Sequence, residues 1–319
     1  MIGVAGAGAF GTALALALAR KGADVLLWAR DGDHVADMAM ARQNARYLAG
    51  IRFPPSLQVT DDLADLRESE VLLLTMTMQS LAGFLATCPH QVAARPLIAC
   101  CKGVDLASLR GPTAVITAAV QHAKVGVLTG PSFAADIARD LPTALTLAYA
   151  GTQAPQIQAL LSTPTLRLYL TDDLQGAELG GALKNVIAIA AGIVIGAGLG
   201  ASARAAIMTR GFVEMQRMAQ SIGARPETLV GLSGFGDLVL TCTSDQSRNF
   251  RYGMALGAGA AFDKQITVEG AATAMAAAQL AQERGIDMPI CQMIAALIGQ
   301  KITLQQAVAA LMSRPLKEE

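Results

Sequence analysis

The chain has 319 residues, with 25 Lys and Arg balancing 25 Asp and Glu, 53% hydrophobic residues and only 4% aromatics. That length fits about two domains, each able to bury a core, and the charge balance gives neither a nucleic-acid footprint nor an acidic tail. Five cysteines without CxxC spacing argue for reduced thiols in a cytoplasmic protein, and three histidines (His34, His90, His122) are too few and scattered for a zinc site or a hydrolase triad.

The N-terminal stretch Met1–Ala19 is uncharged and imitates a signal sequence, yet no basic residue precedes it. Its glycines fit a different pattern. Ile2–Ala5 reads as a short strand, Gly6-Ala7-Gly8-Ala9-Phe10-Gly11 follows at once, Thr12–Arg20 reads as a helix and Val25–Trp28 as a second strand. This is GxGxxG in the strand–turn–helix setting that binds a dinucleotide. Gly6 makes the turn, Gly8 lets the backbone approach a pyrophosphate, and Gly11 permits close helix packing. The helix N-terminus supplies N–H groups and partial positive charge.

The second strand ends Trp28-Ala29-Arg30-Asp31. Arg30 stands where a carboxylate would exclude a 2′-phosphate, which permits NADP and leans towards it. The alternative is that Asp31 holds the ribose and Arg30 is a solvated surface charge.

Val71–Thr75, Leu97–Cys100, Val125–Thr129 and Thr143–Ala148 are apolar runs suited to a mostly parallel sheet. Lys102-Gly103 and Gly130–Ala134 follow two of them, and ligands bind beyond such strand ends. From about Leu174 strand-like runs stop and Ala-, Leu- and Met-rich helical segments continue, so an all-helical second domain is expected, with the boundary near 172–180. Between Glu178 and Arg204 the only charged residue is Lys184. Burial disfavours an unpaired ammonium, so Lys184 is either paired or tuned to trade a proton; a helix-end lysine reaching water is the plainer alternative. Asp237 and Thr241 are four apart and share one helix face. Ser247, Arg248 and Asn249 at a helix start are good phosphate donors. Capping for Asp237 and a surface salt bridge for Arg248 are the structural alternatives.

Taken in order, Gly6–Leu14, Trp28–Arg30, Lys102-Gly103, Gly130–Ala134, Leu141–Ala144, Gly181–Ala188, Thr209–Gly211, Gly234–Thr243, Ser247–Asn249 and Val268–Gly270 closely resemble the bacterial type of NAD(P)-dependent glycerol-3-phosphate dehydrogenase. The resemblance implies a Rossmann-type doubly wound sheet over residues 1–176. It implies an all-helical substrate domain over 177–319, similar to the C-terminal domain of 6-phosphogluconate dehydrogenases. It also implies reversible reduction of dihydroxyacetone phosphate to sn-glycerol 3-phosphate, supplying glycerophospholipid synthesis, with NADP or NAD as cofactor and no metal. Lys184 would exchange the proton of the C2 oxygen, surrounded by Asn185, Asp237 and Thr241. Lys102, Gly130, Ser132, Ser247, Arg248 and Asn249 would bind substrate, the last two at its phosphate. Gly6, Gly8, Ala9, Phe10, Gly11, Arg30, Lys102, Ala134, Arg248, Thr267 and Glu269 would meet the cofactor. A cytoplasmic homodimer with no nucleic acid and no stable membrane insertion is expected.

Three departures stand out. Thr77-Met78 replaces the family's Pro-Ser pair, Ala201-Ser202 replaces Asp-Asn, and Tyr47-Leu48-Ala49-Gly50 replaces Tyr-Leu-Pro-Gly. A dehydrogenase for a hydroxy acid and a cofactor sensor without turnover are the competing readings. Replacing Arg30 tests the cofactor reading: Arg30→Asp should weaken NADPH binding relative to NADH. An unchanged ratio of the two dissociation constants removes Arg30 from that role.

Overall fold

Short apolar runs punctuated by turn residues build the N-terminal sheet, which consists of β1 (Ile2–Ala5), β2 (Val25–Trp28), β3 (Leu57–Thr60), β4 (Val71–Leu74), β5 (Leu97–Ala99), β6 (Val125–Thr129), β7 (Thr143–Tyr149) and β8 (Leu166–Thr171). The structure is a computed structural model that describes residues 1–88 and 94–312; His90 lies outside them. The strands lie in the order β3-β2-β1-β4-β5-β6-β7-β8. Every pair is parallel except β6–β7, which is antiparallel. β1 pairs on one side with β2 (Ile2 opposite Val25) and on the other with β4 (Ile2 opposite Val71). The strand order therefore switches direction at the carboxyl end of β1, where a crevice opens in such sheets.

β1 and β4 are buried throughout, as continuous apolar runs between helix layers should be. β3 and β8 escaped the sequence reading because polar residues interrupt both. In β8, Arg167 and Tyr169 alternate with buried Leu166 and Leu168, the pattern of an edge strand with one wet face. Helix α1 (Ala9–Arg20) starts three residues earlier than its apolar run suggests. Gly11 allows this: a Cβ there would strike the Gly6 carbonyl and the Thr75 hydroxyl. Leu14, Leu16 and Leu18 of α1 pack on Val4, Val25 and Leu27 of the sheet. The other helices of this half are α2 (Gly32–Ala41), α3 (Met78–Thr87), α4 (Pro112–Ala119), α5 (Ala134–Ala138) and α6 (Ala154–Leu161).

The chain separates into two units, one made of Met1–Lys102 with Arg110–Glu178, the other of Gly103–Leu109 with the chain from Leu179 on. The second unit is helical. It contains most of α7 (Leu174–Gly196), then α8 (Gly200–Ser221), α9 (Pro226–Val230), a π turn (Leu232–Gly236), α10 (Asp237–Thr243), α11 (Arg248–Gly257), α12 (Glu269–Arg284), α13 (Pro289–Ile298) and α14 (Leu304–Met312). Residues 103–109 join it because Val104 packs on Ala182 of α7 and Ala276 of α12. α7 is long and apolar enough to cross a membrane, and 83% of its most apolar window is buried inside the protein, as in a core helix.

Helices α7 and α11 meet backbone to backbone. A Cβ on Gly192 of α7 would fall on the Phe250 carbonyl, and one on Gly253 of α11 on the Ile189 carbonyl. Gly196 and Gly257, each one turn further, repeat the contact. Small residues four apart on both helices thus remove the ridge that normally spaces a helix pair.

A buried carboxylate ties α8 to α13. Glu214 is 2% exposed and accepts from the backbone N–H of Ile290 (2.6 Å) and Cys291 (3.1 Å). These amides lie in the first turn of α13 and have no intrahelical acceptor. Burial pushes the Glu214 carboxyl up to about 7, against the pull of those two amide bonds. The folded chain therefore keeps a proton that the unfolded chain gives up nearer 4.5, so this group's contribution falls as pH rises through that interval. Denaturant midpoints measured from about pH 5 to about pH 7 should decline less steeply in Glu214→Gln than in the parent. Equal slopes would mean that the carboxyl titrates alike in both states.

Candidate active site

In the sheet unit, Gly6 leaves β1 with φ of +118°, a conformation open to glycine and strained for other residues. Thr75, just past β4, donates its hydroxyl to the carbonyls of Ala5 (3.0 Å) and Gly6 (2.7 Å), pinning one side of the turn. On the Cβ side of Gly8 nothing lies within 4 Å. Ala9 and Phe10 are half-buried in the first turn of α1. At the end of β2, Arg30 is exposed and makes no hydrogen bond or ion pair among the described residues. Asp31 is occupied: it caps α2 by accepting from the His34 N–H (3.2 Å) and pairs with Arg46 (3.1 Å). The His34 amide, then Arg46, hold its carboxyl below the ordinary aspartate range.

Beyond β5 and β6, Lys102 Nζ donates to the Gly130 carbonyl at 3.3 Å, and the Ser132 hydroxyl reaches the same oxygen at 3.4 Å. Lys102, Gly130 and Ser132 thus form one group in this unit, with Ala134 opening α5 shortly after. Thr77 stands at the N-cap of α3, its hydroxyl 2.8 Å from that of Ser80, while Met78 is buried.

In the helical unit, Lys184 is 6% exposed and Asp237 fully buried. Lys184 Nζ donates to Asp237 Oδ1 at 2.6 Å and to Thr241 Oγ1 at 2.7 Å. The lysine is paired, which decides between the alternatives its sequence context left open. Thr241 also donates to Asp237 Oδ1 at 3.3 Å, one helical turn along α10. Asp237 is the first residue of α10, and the cap position belongs to Gly236. Two features put the carboxylate over the lysine. The π turn redirects the chain just before Asp237, and it sits directly on α7 at Gly180, where a Cβ would lie 2.5 Å from the Ser233 carbonyl. Gly180 and Lys184 are four apart, so the bare face of α7 and the lysine point the same way.

Asn185, the next residue of α7, starts a second network. It accepts from Asn249 Nδ2 (2.9 Å), while Asn249 Oδ1 accepts from the Gly270 N–H (3.0 Å), so one amide joins α7, α11 and α12. Ser247 caps α11 by accepting from the Phe250 N–H. Arg248, the first residue of α11, is exposed and forms no ion pair among the described residues; Thr267 is exposed and Glu269 half-buried at the start of α12. Lys184, Asp237 and Thr241 are therefore one hydrogen-bonded cluster and Asn185, Asn249 and the Gly270 N–H another, joined through the chain at Lys184-Asn185, with Ser247 and Arg248 at the adjoining helix start. Sequence reasoning missed Thr75, the π turn and Asn44 (described below), because their roles come from residues far away in the chain.

A glycine-rich turn at the switch point of a parallel sheet, with a buried lysine–carboxylate pair in a helical unit, defines a dinucleotide-dependent oxidoreductase of the two-domain class. Comparison with known proteins narrows this. Residues 1–154 match the family described as NAD-dependent glycerol-3-phosphate dehydrogenase N-terminus, and residues 173–309 match its C-terminus counterpart. The chain is 57% identical to a glycerol-3-phosphate dehydrogenase [NAD(P)+] of Ruegeria sp. (strain TM1040), covering 100% of this chain and 99% of that one. It is 58% identical to the protein of the same name from Cereibacter sphaeroides, over 100% of both. A crystal structure of glycerol-3-phosphate dehydrogenase from Coxiella burnetii superposes with a TM-score of 0.91 at 37% identity, covering 98% of each chain. The chain belongs to the NAD-dependent glycerol-3-phosphate dehydrogenase family.

The buried pair makes a stability prediction. Lys184→Met removes the ammonium that faces the fully buried Asp237 carboxylate and should cost about 3–5 kcal/mol. Adding Asp237→Leu should recover much of that loss in chemical unfolding. A Lys184→Met chain as stable as the parent would show that the pair contributes nothing.

Proposed function

We propose that this chain catalyses the reversible NAD(P)H-dependent reduction of dihydroxyacetone phosphate to sn-glycerol 3-phosphate, with Lys184 exchanging the proton. The observation that carries this reading is the buried Lys184–Asp237–Thr241 cluster. Residues 1–176 form the dinucleotide half and 177–319 the substrate half. The sheet unit fits a dinucleotide: the turn is open at Gly8, and a helix N-terminus and the exposed Arg30 lie at the carboxyl ends of β1 and β2. When bound, the nicotinamide supplies or accepts the hydride at C2.

The protein's own part is proton transfer and positioning. In reduction, the Lys184 ammonium gives a proton to the carbonyl oxygen as that oxygen becomes a hydroxyl; in oxidation the neutral amine takes it back. Asp237 stabilises the charged form and, with Thr241, fixes where Nζ points. Asn185 continues that polar wall. Such placed acid–base groups contribute about 10²–10⁴-fold. Arg248, with Ser247 and Asn249, holds the substrate phosphate as a charge-assisted clamp, and Lys102, Gly130 and Ser132 also bind the substrate. Gly6, Gly8, Ala9, Phe10, Gly11, Arg30, Lys102, Ala134, Arg248, Thr267 and Glu269 meet the cofactor. The occupied state of Asp31 and the exposure of Arg30 support acceptance of NADPH. We place the enzyme in the cytoplasm as a homodimer supplying glycerophospholipid synthesis.

Purified protein with dihydroxyacetone phosphate should oxidise NADPH and NADH, followed by absorbance. Lys184→Met should abolish turnover while keeping NADPH binding, and Arg248→Ala should raise the apparent KM for the phosphorylated ketone. A fully active Lys184→Met chain would sink the lysine assignment. An Arg248→Ala effect confined to cofactor affinity would sink the phosphate assignment.

A further inference from the structure

Asn44 follows α2 and is completely buried, an expensive place for a primary amide unless every polar atom is satisfied. Its Nδ2 donates to the carbonyl of Ala7, in the middle of the glycine-rich turn, at 2.9 Å. The same nitrogen donates to the Thr12 hydroxyl in the first turn of α1 at 2.8 Å. Its Oδ1 faces His34 Nε2 at 3.1 Å. Because Nδ2 is used up on the turn, Oδ1 must accept, so Nε2 is the protonated nitrogen of this 7%-exposed imidazole. The His34 backbone N–H in turn donates to Asp31, which pairs with Arg46. A hydrogen-bonded chain therefore runs from the end of β2 to the glycine turn.

The consequence follows from peptide geometry. In a trans peptide the C=O and the next residue's N–H point in opposite directions. Thr75 holds the Gly6 carbonyl, which turns the Ala7 N–H the other way; Asn44 holds the Ala7 carbonyl, which turns the Gly8 N–H the other way. Neither the Ala7 nor the Gly8 N–H has a hydrogen-bond partner among the described residues. We propose that Asn44, braced by His34, is a positioning residue for cofactor binding: it fixes the peptide between Ala7 and Gly8 so that the amide faces the dinucleotide phosphates. Without it the peptide plane is free to rotate, and the turn must be ordered at the expense of binding energy. This rests on the Gly6–Gly11 turn being the dinucleotide site proposed above.

The test uses four variants of the full chain and reads NADPH dissociation constants by fluorescence titration, alongside thermal unfolding and the KM for dihydroxyacetone phosphate. Asn44→Asp keeps the volume and the acceptor facing His34, but sets an oxygen against the Ala7 carbonyl. It should weaken NADPH and NADH alike, by about ten- to a hundred-fold, with the ketone KM unchanged. His34→Ala, which leaves Asn44 in place but unbraced, should weaken both cofactors several-fold, and His34→Gln, which restores a donor, should recover most of that loss. If Asn44→Asp folds and binds NADPH like the parent, the proposal is overturned. If it does not fold, unchanged cofactor binding in His34→Ala overturns it instead. Gly8→Glu separates the underlying reading, since a side chain there meets nothing within 4 Å at its Cβ and places a carboxylate where phosphate is expected. NADPH binding that survives Gly8→Glu would remove the dinucleotide site from this turn, whereas loss in Gly8→Glu with no effect in the Asn44 and His34 variants would refute the positioning role alone.

Discussion

An ammonium ion in an apolar core has to be answered by a carboxylate, and the helical unit is arranged around that requirement. One turn to either side of Lys184 on its helix lie Gly180, Gly181, Ile187 and Ala188, none of which carries a charge. The partner comes from 53 positions away, and bringing it there takes a glycine on the near face of α7 and an irregular turn before α10. A π turn in the middle of helical chain is uncommon and recurs at functional positions, where it re-aims one side chain. Here that side chain is Asp237.

The same economy of side chains governs the packing around the cluster. Glycines on α7 and α11 let the two backbones touch, and only at that separation can the short amide of Asn249 reach Asn185 and the Gly270 N–H together. Larger residues at Gly192 or Gly253 would separate the helices and break a polar network that has no slack. The polar residues of this network are thus held by close backbone contact, while apolar side chains from α7 through α13 fill the remaining core.

The sheet unit solves a related problem with carbonyls. A turn that presents amides must turn its carbonyls inward, and buried carbonyls need donors. Thr75 and Asn44 supply them, and both come from segments outside the βαβ unit that contains the glycines. Asp31 is drawn into the same scheme as a helix cap, which leaves Arg30 as the charged group at the end of β2 with no hydrogen bond or ion pair among the described residues.

The sequence by itself determined the strand–turn–helix opening, the positions of six of the strands, the helical second half and the residue types of the cluster. These follow from local periodicity, glycine spacing and the improbability of a lone lysine in an apolar helix. Short, polar-interrupted β3 and β8 were not legible because neighbouring strands and packing, rather than their own pattern, make them strands. The tertiary structure alone decided that Lys184 is paired, that Asp237 lines the cluster instead of capping a helix, that residues 103–109 pack with the helices, and that Asn44 grips the glycine turn. Each depends on contacts between residues distant in the chain, and such contacts leave no periodic or spacing signal in a single sequence.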